Sequence, residues 1–158
     1  MLSTLVLKEC ALFEGVNDEV LKDIAELCHE RSYRKGASCF LQGRKATEVY
    51  LCRSGRVDVT VQIREPWGME VTVHTSRAGE LFGWSAMLEP YVYTASAKCR
   101  ERTKVICINR SDLINFFRNR PEVGYLVMTN LGAVISSRLT ESRLKLSKAM
   151  AAAANLEW

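Results

Sequence analysis

Between Ser32 and Asn109 the chain is cut into brief apolar runs, none long enough for a helix of ordinary length, with glycines at the cuts. The runs are Tyr33-Arg34, Ser38 to Leu41, Val49 to Arg53, Arg56 to Arg64, Glu70 to Thr75, Ala95 to Cys99 and Lys104 to Asn109, with Gly36, Gly43 and Gly55 among the punctuation points. Such spacing predicts an antiparallel sandwich or barrel. The clearest strand is Arg56 to Arg64, where Val57, Val59, Val61 and Ile63 alternate with polar residues, so one face is expected buried and the other wet. Pro66-Trp67-Gly68 then reads as a hairpin reversal leading to Val71 and Val73, because proline lacks a donor and glycine accepts positive φ.

Helices are expected on either side of the strands. Asn17-Asp18-Glu19 can cap a helix whose Val20, Leu21, Ile24, Leu27 and Cys28 share one face, and residues 1–31 are read as a helical region. Ser111-Asp112 can cap a short helix carrying Leu113, Ile114, Phe116 and Phe117, which ends ahead of Pro121. From Pro121 onward there is no further proline, and apolar residues recur at Val123, Leu126, Val127, Leu131, Val134, Ile135, Leu139 and Leu146. One long amphipathic helix results. Its apolar stripe exceeds what a small β core can cover, so pairing with a second copy is expected; folding back on its own barrel is the competing reading.

Composition narrows the classes. With 158 residues, 47% apolar, the chain fits one domain, residues 1–158, with a core that needs no metal or disulfide. The net charge of +4 is mild and nowhere concentrated, which points to no nucleic-acid tract. Six cysteines, Cys10, Cys28, Cys39, Cys52, Cys99 and Cys107, are scattered without close spacing and read as buried thiols of a reducing cytoplasm. No secretory leader and no run able to span a bilayer is read from the sequence, so no membrane partner is expected. Enzyme signatures are missing too: there is no Gly-Lys phosphate loop, no nucleophile elbow and no His-Glu pair at metal spacing. His29 and His74, the two histidines, are read as ordinary helix or strand residues, and no metal is assigned.

Two segments carry the functional signal: Gly79-Glu80-Leu81-Phe82-Gly83-Trp84-Ser85-Ala86-Met87-Leu88 and Tyr91-Val92-Tyr93-Thr94-Ala95-Ser96-Ala97. Two glycines bracket an aromatic residue, and a short apolar turn opens after the second, where backbone amides can face an anion. Together with Tyr33-Arg34-Lys35-Gly36, Leu41-Gln42-Gly43 and the run from Val49 to Val57, and with the order of capped helix, β runs, short helix and long helix, these segments resemble the cyclic nucleotide-binding domain family, including the effector domains of catabolite-activator-type regulators. The resemblance covers nearly the whole chain. It implies an eight-stranded, jelly-roll-like β roll flanked by helices, with ligand held in the roll and sensed by the long C-terminal helix.

The resemblance also marks two substitutions. Trp84 stands where ligand-binding relatives carry a glutamate for the ribose hydroxyl, and Tyr93 where they carry an arginine for the cyclic phosphate. An indole donates but does not accept, and a neutral phenol cannot replace a guanidinium. Loss of one partner of a buried charge pair costs about 2–5 kcal/mol, so usual cyclic AMP binding is not expected. Arg77, Arg100 and Arg102 could compensate only if they left solvent. The candidate ligand-binding residues are Phe82, Gly83, Trp84, Ser85, Ala86, Tyr93 and Thr94, for a cyclic nucleotide or another, flatter small molecule.

Two functions stay open at this point. One is a non-catalytic ligand-sensing module, the other a dimeric interaction module whose pocket Trp84 and Tyr93 fill. Either is expected to act as a homodimer on a separate protein effector. DNA is not an expected partner, because the long helix takes up the residues after Pro121; Arg138, Arg143, Lys145 and Lys148 on that helix are read as its solvated or dimer-flanking face.

Overall fold

The computed structural model describes residues 2–63 and 68–156. Eight strands form two four-stranded antiparallel sheets: β1 (Cys28–Tyr33), β8 (Thr103–Asn109), β3 (Glu48–Ser54) and β6 (Leu81–Phe82) in the first, β2 (Ser38–Phe40), β7 (Ser96–Cys99), β4 (Val57–Ile63) and β5 (Met69–Ser76) in the second. The sheets are antiparallel, as the glycine punctuation predicts, and form the eight-stranded β roll that the family resemblance implies. The short strand β6, pairing Phe82 with Tyr50 and Leu81 with Leu51, was hidden inside the glycine motif because two residues carry no periodicity.

Burial explains the layers. β8 is buried on both faces: Val105 and Cys107 belong to the cluster inside the roll with Tyr50, Val57, Phe82 and Tyr93, while Ile106 and Ile108 join a second cluster beneath the helices. That second cluster gathers Leu7, Leu12, Phe13, Leu21 and Ile24 from the N-terminal region, Leu113, and Val127 and Leu131 of the long helix.

Several boundaries differ from expectation. The first full helix, α2 (Asp18–Glu26), follows the short α1 (Thr4–Lys8) and is capped as expected, with the Asn17 side chain accepting from the Val20 amide at 2.9 Å. It ends before Cys28, which already pairs with Ile108, so β1 replaces the expected helical region up to residue 31. The short helix α3 (Arg110–Asn119) is capped by Asn109, whose side chain accepts the Ser111 amide at 2.8 Å, and Ser111-Asp112 are already helical. In β4 the register shifts between Val59 and Thr60; Thr60 is buried on the supposedly wet face, and Ile63 at the strand end is exposed. Pairing of Ile63 with Met69 fits the expected hairpin, but Arg64, Pro66 and Trp67 lie outside the described residues.

The long helix α4 (Pro121–Leu156) starts at the expected proline. Gly124 lets it cross α3 closely, since a Cβ there would lie 2.9 Å from that of Phe117. Asn130 fastens it to the N-terminal segment, its amide donating to the Leu12 and Glu14 carbonyls at 2.9 Å each. Beyond Arg138 the helix leaves the core: Leu144, Leu146 and Met150 are all more than half exposed. No described helix is long and apolar enough to cross a membrane.

Candidate functional site

A cavity of about 230 Å³ opens between the roll and α4. Its apolar wall comes from Phe40 on β2, Val59 and Val61 on β4, Val73 on β5 and Phe82 on β6; Gly83, Trp84 and Ser85 enter from one loop, Tyr93, Thr94 and Ala95 from another, and Arg138, Glu141 and Ser142 from α4. Six of the seven expected residues are thus brought together. Ala86 is the exception: it is fully buried and does not line the cavity, and its amide donates to the Gly83 carbonyl at 3.3 Å, so it is not available to an anion.

Gly83 shapes the entrance of the turn Trp84–Met87. Its φ of 74° is left-handed, and a Cβ would lie 2.9 Å from Tyr50 and 3.0 Å from Phe40. Only glycine lets the chain pass between those rings.

Tyr93 is core and wall at once. Its ring stacks on Phe40 with centroids 3.8 Å apart and planes 11° from parallel, and Tyr50 continues the stack against Phe82 at 5.2 Å. The phenol donates to the Glu48 carbonyl at 2.7 Å and accepts the Glu48 amide at 3.3 Å, while burial pushes its pKa up. A neutral hydroxyl so committed cannot stand in for a guanidinium. Trp84 is half-buried and packs against the helical core instead of filling the cavity.

The cation in the cavity wall is Arg138 of α4, whose side chain is only 15% exposed. Its guanidinium lies 5.9 Å from the Trp84 ring centroid and 3.9 Å from the Glu80 carboxylate. Burial works against that charge, whereas Glu80 and Glu141 support it. Beside it, His74 sits between Glu80, 3.3 Å from Nε2, and Glu141, 3.4 Å from Nδ1. Burial, then Arg138, holds the imidazole below its ordinary pKa against the pull of both carboxylates. Lys145 donates to the Val73 carbonyl at 3.0 Å and extends the seam between α4 and β5.

One polar group in the wall is unmatched. Ser76 is fully buried on β5, and its hydroxyl has no hydrogen-bond partner among the described residues.

Arg138, expected on the solvated or dimer-flanking face of α4, is instead largely buried in the cavity wall, whereas His74 is the strand residue expected, on β5, with two carboxylate neighbours the sequence does not announce. A signal for Arg138 was present: with Val127, Leu131, Ile135 and Ser142 it continues one stripe of α4 at steps of three and four. For the His74 contacts there is none, because Glu80 approaches from the turn that follows β5 and Glu141 from a helix distant in sequence. Arg100 is tied to Asp58 at 2.9–3.0 Å, and neither it nor Arg77 or Arg102 lines the cavity. His29 is exposed on β1, and no cluster able to hold a metal occurs among the described residues.

Comparison with known proteins gives a consistent result. The sequence profile of the family described as "Cyclic nucleotide-binding domain" matches residues 30–120. The cyclic AMP receptor protein of Thermus thermophilus is 31% identical over 140 residues, which is 89% of this chain and 62% of that protein. A crystal structure from Geobacter metallireducens, described as a cyclic nucleotide-binding protein, superposes with a TM-score of 0.77 at 31% identity, covering 88% of this chain and 99% of that one. Glutaminase 1 of Bradyrhizobium diazoefficiens is 29% identical over 90% of this chain, but the match spans only 22% of the enzyme. The chain thus spans less than two thirds of the length of these two curated relatives.

Proposed function

This chain belongs to the cyclic nucleotide-binding domain family, and we propose that it works as a non-catalytic, cytoplasmic ligand-sensing module whose usual anchors for a cyclic nucleotide have been exchanged. One observation carries the reading: the cavity stands open, and its cation is supplied by α4 through Arg138 while Tyr93 lies stacked in the wall. A pocket filled by Trp84 and Tyr93, the premise of a purely interaction-based function, is disfavoured by that open space.

The ligand this wall suits has a flat, largely apolar body for the faces of Trp84 and the aromatic stack, and one acceptor group within reach of Arg138 and the Ser76 hydroxyl. Phe82, Gly83, Ser85 and Thr94 complete the proposed contacts. Because Arg138 belongs to α4, occupancy of the cavity would bear directly on that helix, and through it on a homodimer partner and a separate protein effector. The exposed Leu144, Leu146 and Met150 favour the dimer.

Titration calorimetry with cyclic AMP tests the exchange of anchors. The native chain is expected to show no saturation below millimolar ligand, and the double variant W84E/Y93R to bind roughly 1,000-fold tighter or better, in line with about 2–5 kcal/mol for each of the two restored charge partners. Saturable micromolar binding by the native chain would refute this reading.

A further inference from the structure

Cys39 lies on β2, the edge strand of the second sheet, and Cys99 on its neighbour β7. Their pairing runs Ser38 to Lys98 and Phe40 to Ala97, with a register shift between Ser38 and Phe40, so Cys39 is the extra residue of a bulge. The bulge turns its side chain inward, and its Sγ comes to 3.8 Å from that of Cys99. We propose that Cys39 and Cys99 are a redox-modification site, closing to an intramolecular disulfide when the protein meets a hydroperoxide.

Geometry and chemistry set this pair apart. The sulfurs must approach by less than 2 Å to reach the length of a disulfide, about 2.0 Å, and edge strands are the part of a sheet most able to shift. Cys39 is partly exposed, giving a small oxidant a route to a pair whose other member is buried. The sulfurs also share a hydrogen bond, and the Cys39 thiol donating to Cys99 holds the latter's pKa down at about 7. The same bond, together with burial, pushes the Cys39 thiol up, and burial raises the other four as well, Cys10 and Cys52 to about 11 and Cys28 and Cys107 to about 12, so Cys99 is the thiolate of the pair.

The reaction balances with hydrogen peroxide as the oxidant. The thiolate of the pair attacks one peroxide oxygen; an S–O bond forms, the O–O bond breaks, and the leaving hydroxide takes up a proton as water. The second sulfur then attacks the sulfenic sulfur, the S–O bond breaks, and a second water leaves. Two thiols are oxidised to one disulfide while peroxide is reduced to two waters.

The bond would have a local effect. Phe40, next to Cys39, stacks on Tyr93 and forms part of the cavity wall, so clipping β2 to β7 fixes that wall.

The test is peptide mapping of the full chain after brief hydrogen peroxide treatment, with free thiols then blocked by N-ethylmaleimide and digestion carried out without reductant. The expected product is one crosslink joining the peptides of Cys39 and Cys99, about 2 Da lighter than the two thiol peptides and reversed by dithiothreitol, with the other four cysteines alkylated. C39S is expected to lose the crosslink and C28S to keep it; C39S alters an edge-strand residue and spares the buried Cys99, so a misfolded variant is not at issue. Recovery of Cys39 and Cys99 as alkylated thiols, or a crosslink joining any other pair, would overturn the proposal.

Discussion

The Arg138 guanidinium faces the Trp84 ring at 5.9 Å from its centroid, so the long helix touches the turn after Gly83 through a cation over an indole. This contact joins the roll to α4 at the cavity rim, and Glu80 shares the same guanidinium. Replacing Arg138 by alanine is expected to lower stability by about 1 kcal/mol, the middle of the range for a partly buried cation–π pair. Denaturant unfolding measures the loss, and hydrogen exchange should show it concentrated between residues 136 and 145. Uniform exchange along α4 in both proteins would contradict the contact.

Glycine is required at 83 and only preferred at 79. Both have left-handed φ, but a Cβ at Gly79 meets nothing within 4 Å, whereas one at Gly83 meets Tyr50 and Phe40. Gly79→Ala is therefore expected to cost about 1 kcal/mol for the backbone alone. Gly83→Ala adds overpacking of about 1–3 kcal/mol. Paired urea titrations should separate the two, and equal midpoints would speak against the crowding.

The unmatched Ser76 hydroxyl predicts an unusual sign. Removing a buried donor that has no partner relieves a desolvation cost, so Ser76→Ala is expected to stabilise the ligand-free chain by about 1 kcal/mol. A thermal melt in the absence of ligand reads this directly. A lower midpoint for the variant would mean that the hydroxyl is satisfied.

The depressed pKa of His74 gives a pH dependence. Its unfolded value is 6.5 and its folded value lies lower, so below about pH 6.5 the unfolded chain binds the extra proton more readily and stability falls with pH until the folded pKa is passed. The groups facing it are Glu80, Arg138, Glu141 and Lys145; both carboxylates raise the folded pKa and both cations lower it. Between pH 7.5 and 5 the native melting temperature is expected to drop more than that of His74→Gln. Parallel curves would show that the imidazole contributes nothing.

Much of the roll was legible in the sequence because its determinants are local. Glycines at turns, alternation along Val57 to Val61 and the proline that opens α4 each act on their own neighbourhood, and the cap at Asn17 is a contact across three residues. What escaped depended on convergence. The two residues of β6 have no pattern until β3 lies beside them, and Asn109 looks like the end of a strand until its side chain turns to cap α3. The role of Arg138 required knowing that the stripe begun by Val127 and Leu131 keeps facing the protein for another two turns, past the point where its residues stop being apolar.

The amide of Asn130, bonded to the Leu12 and Glu14 carbonyls, clamps α4 to the N-terminal segment. From there to Leu156 the helix is a lever of roughly 39 Å at 1.5 Å per residue, so a tilt of roughly 5° at Asn130 would swing its tip by roughly 3 Å. A displacement at Arg138 too small to disturb the roll would thus be magnified at the far end, where anything gripping Met150 would feel it first.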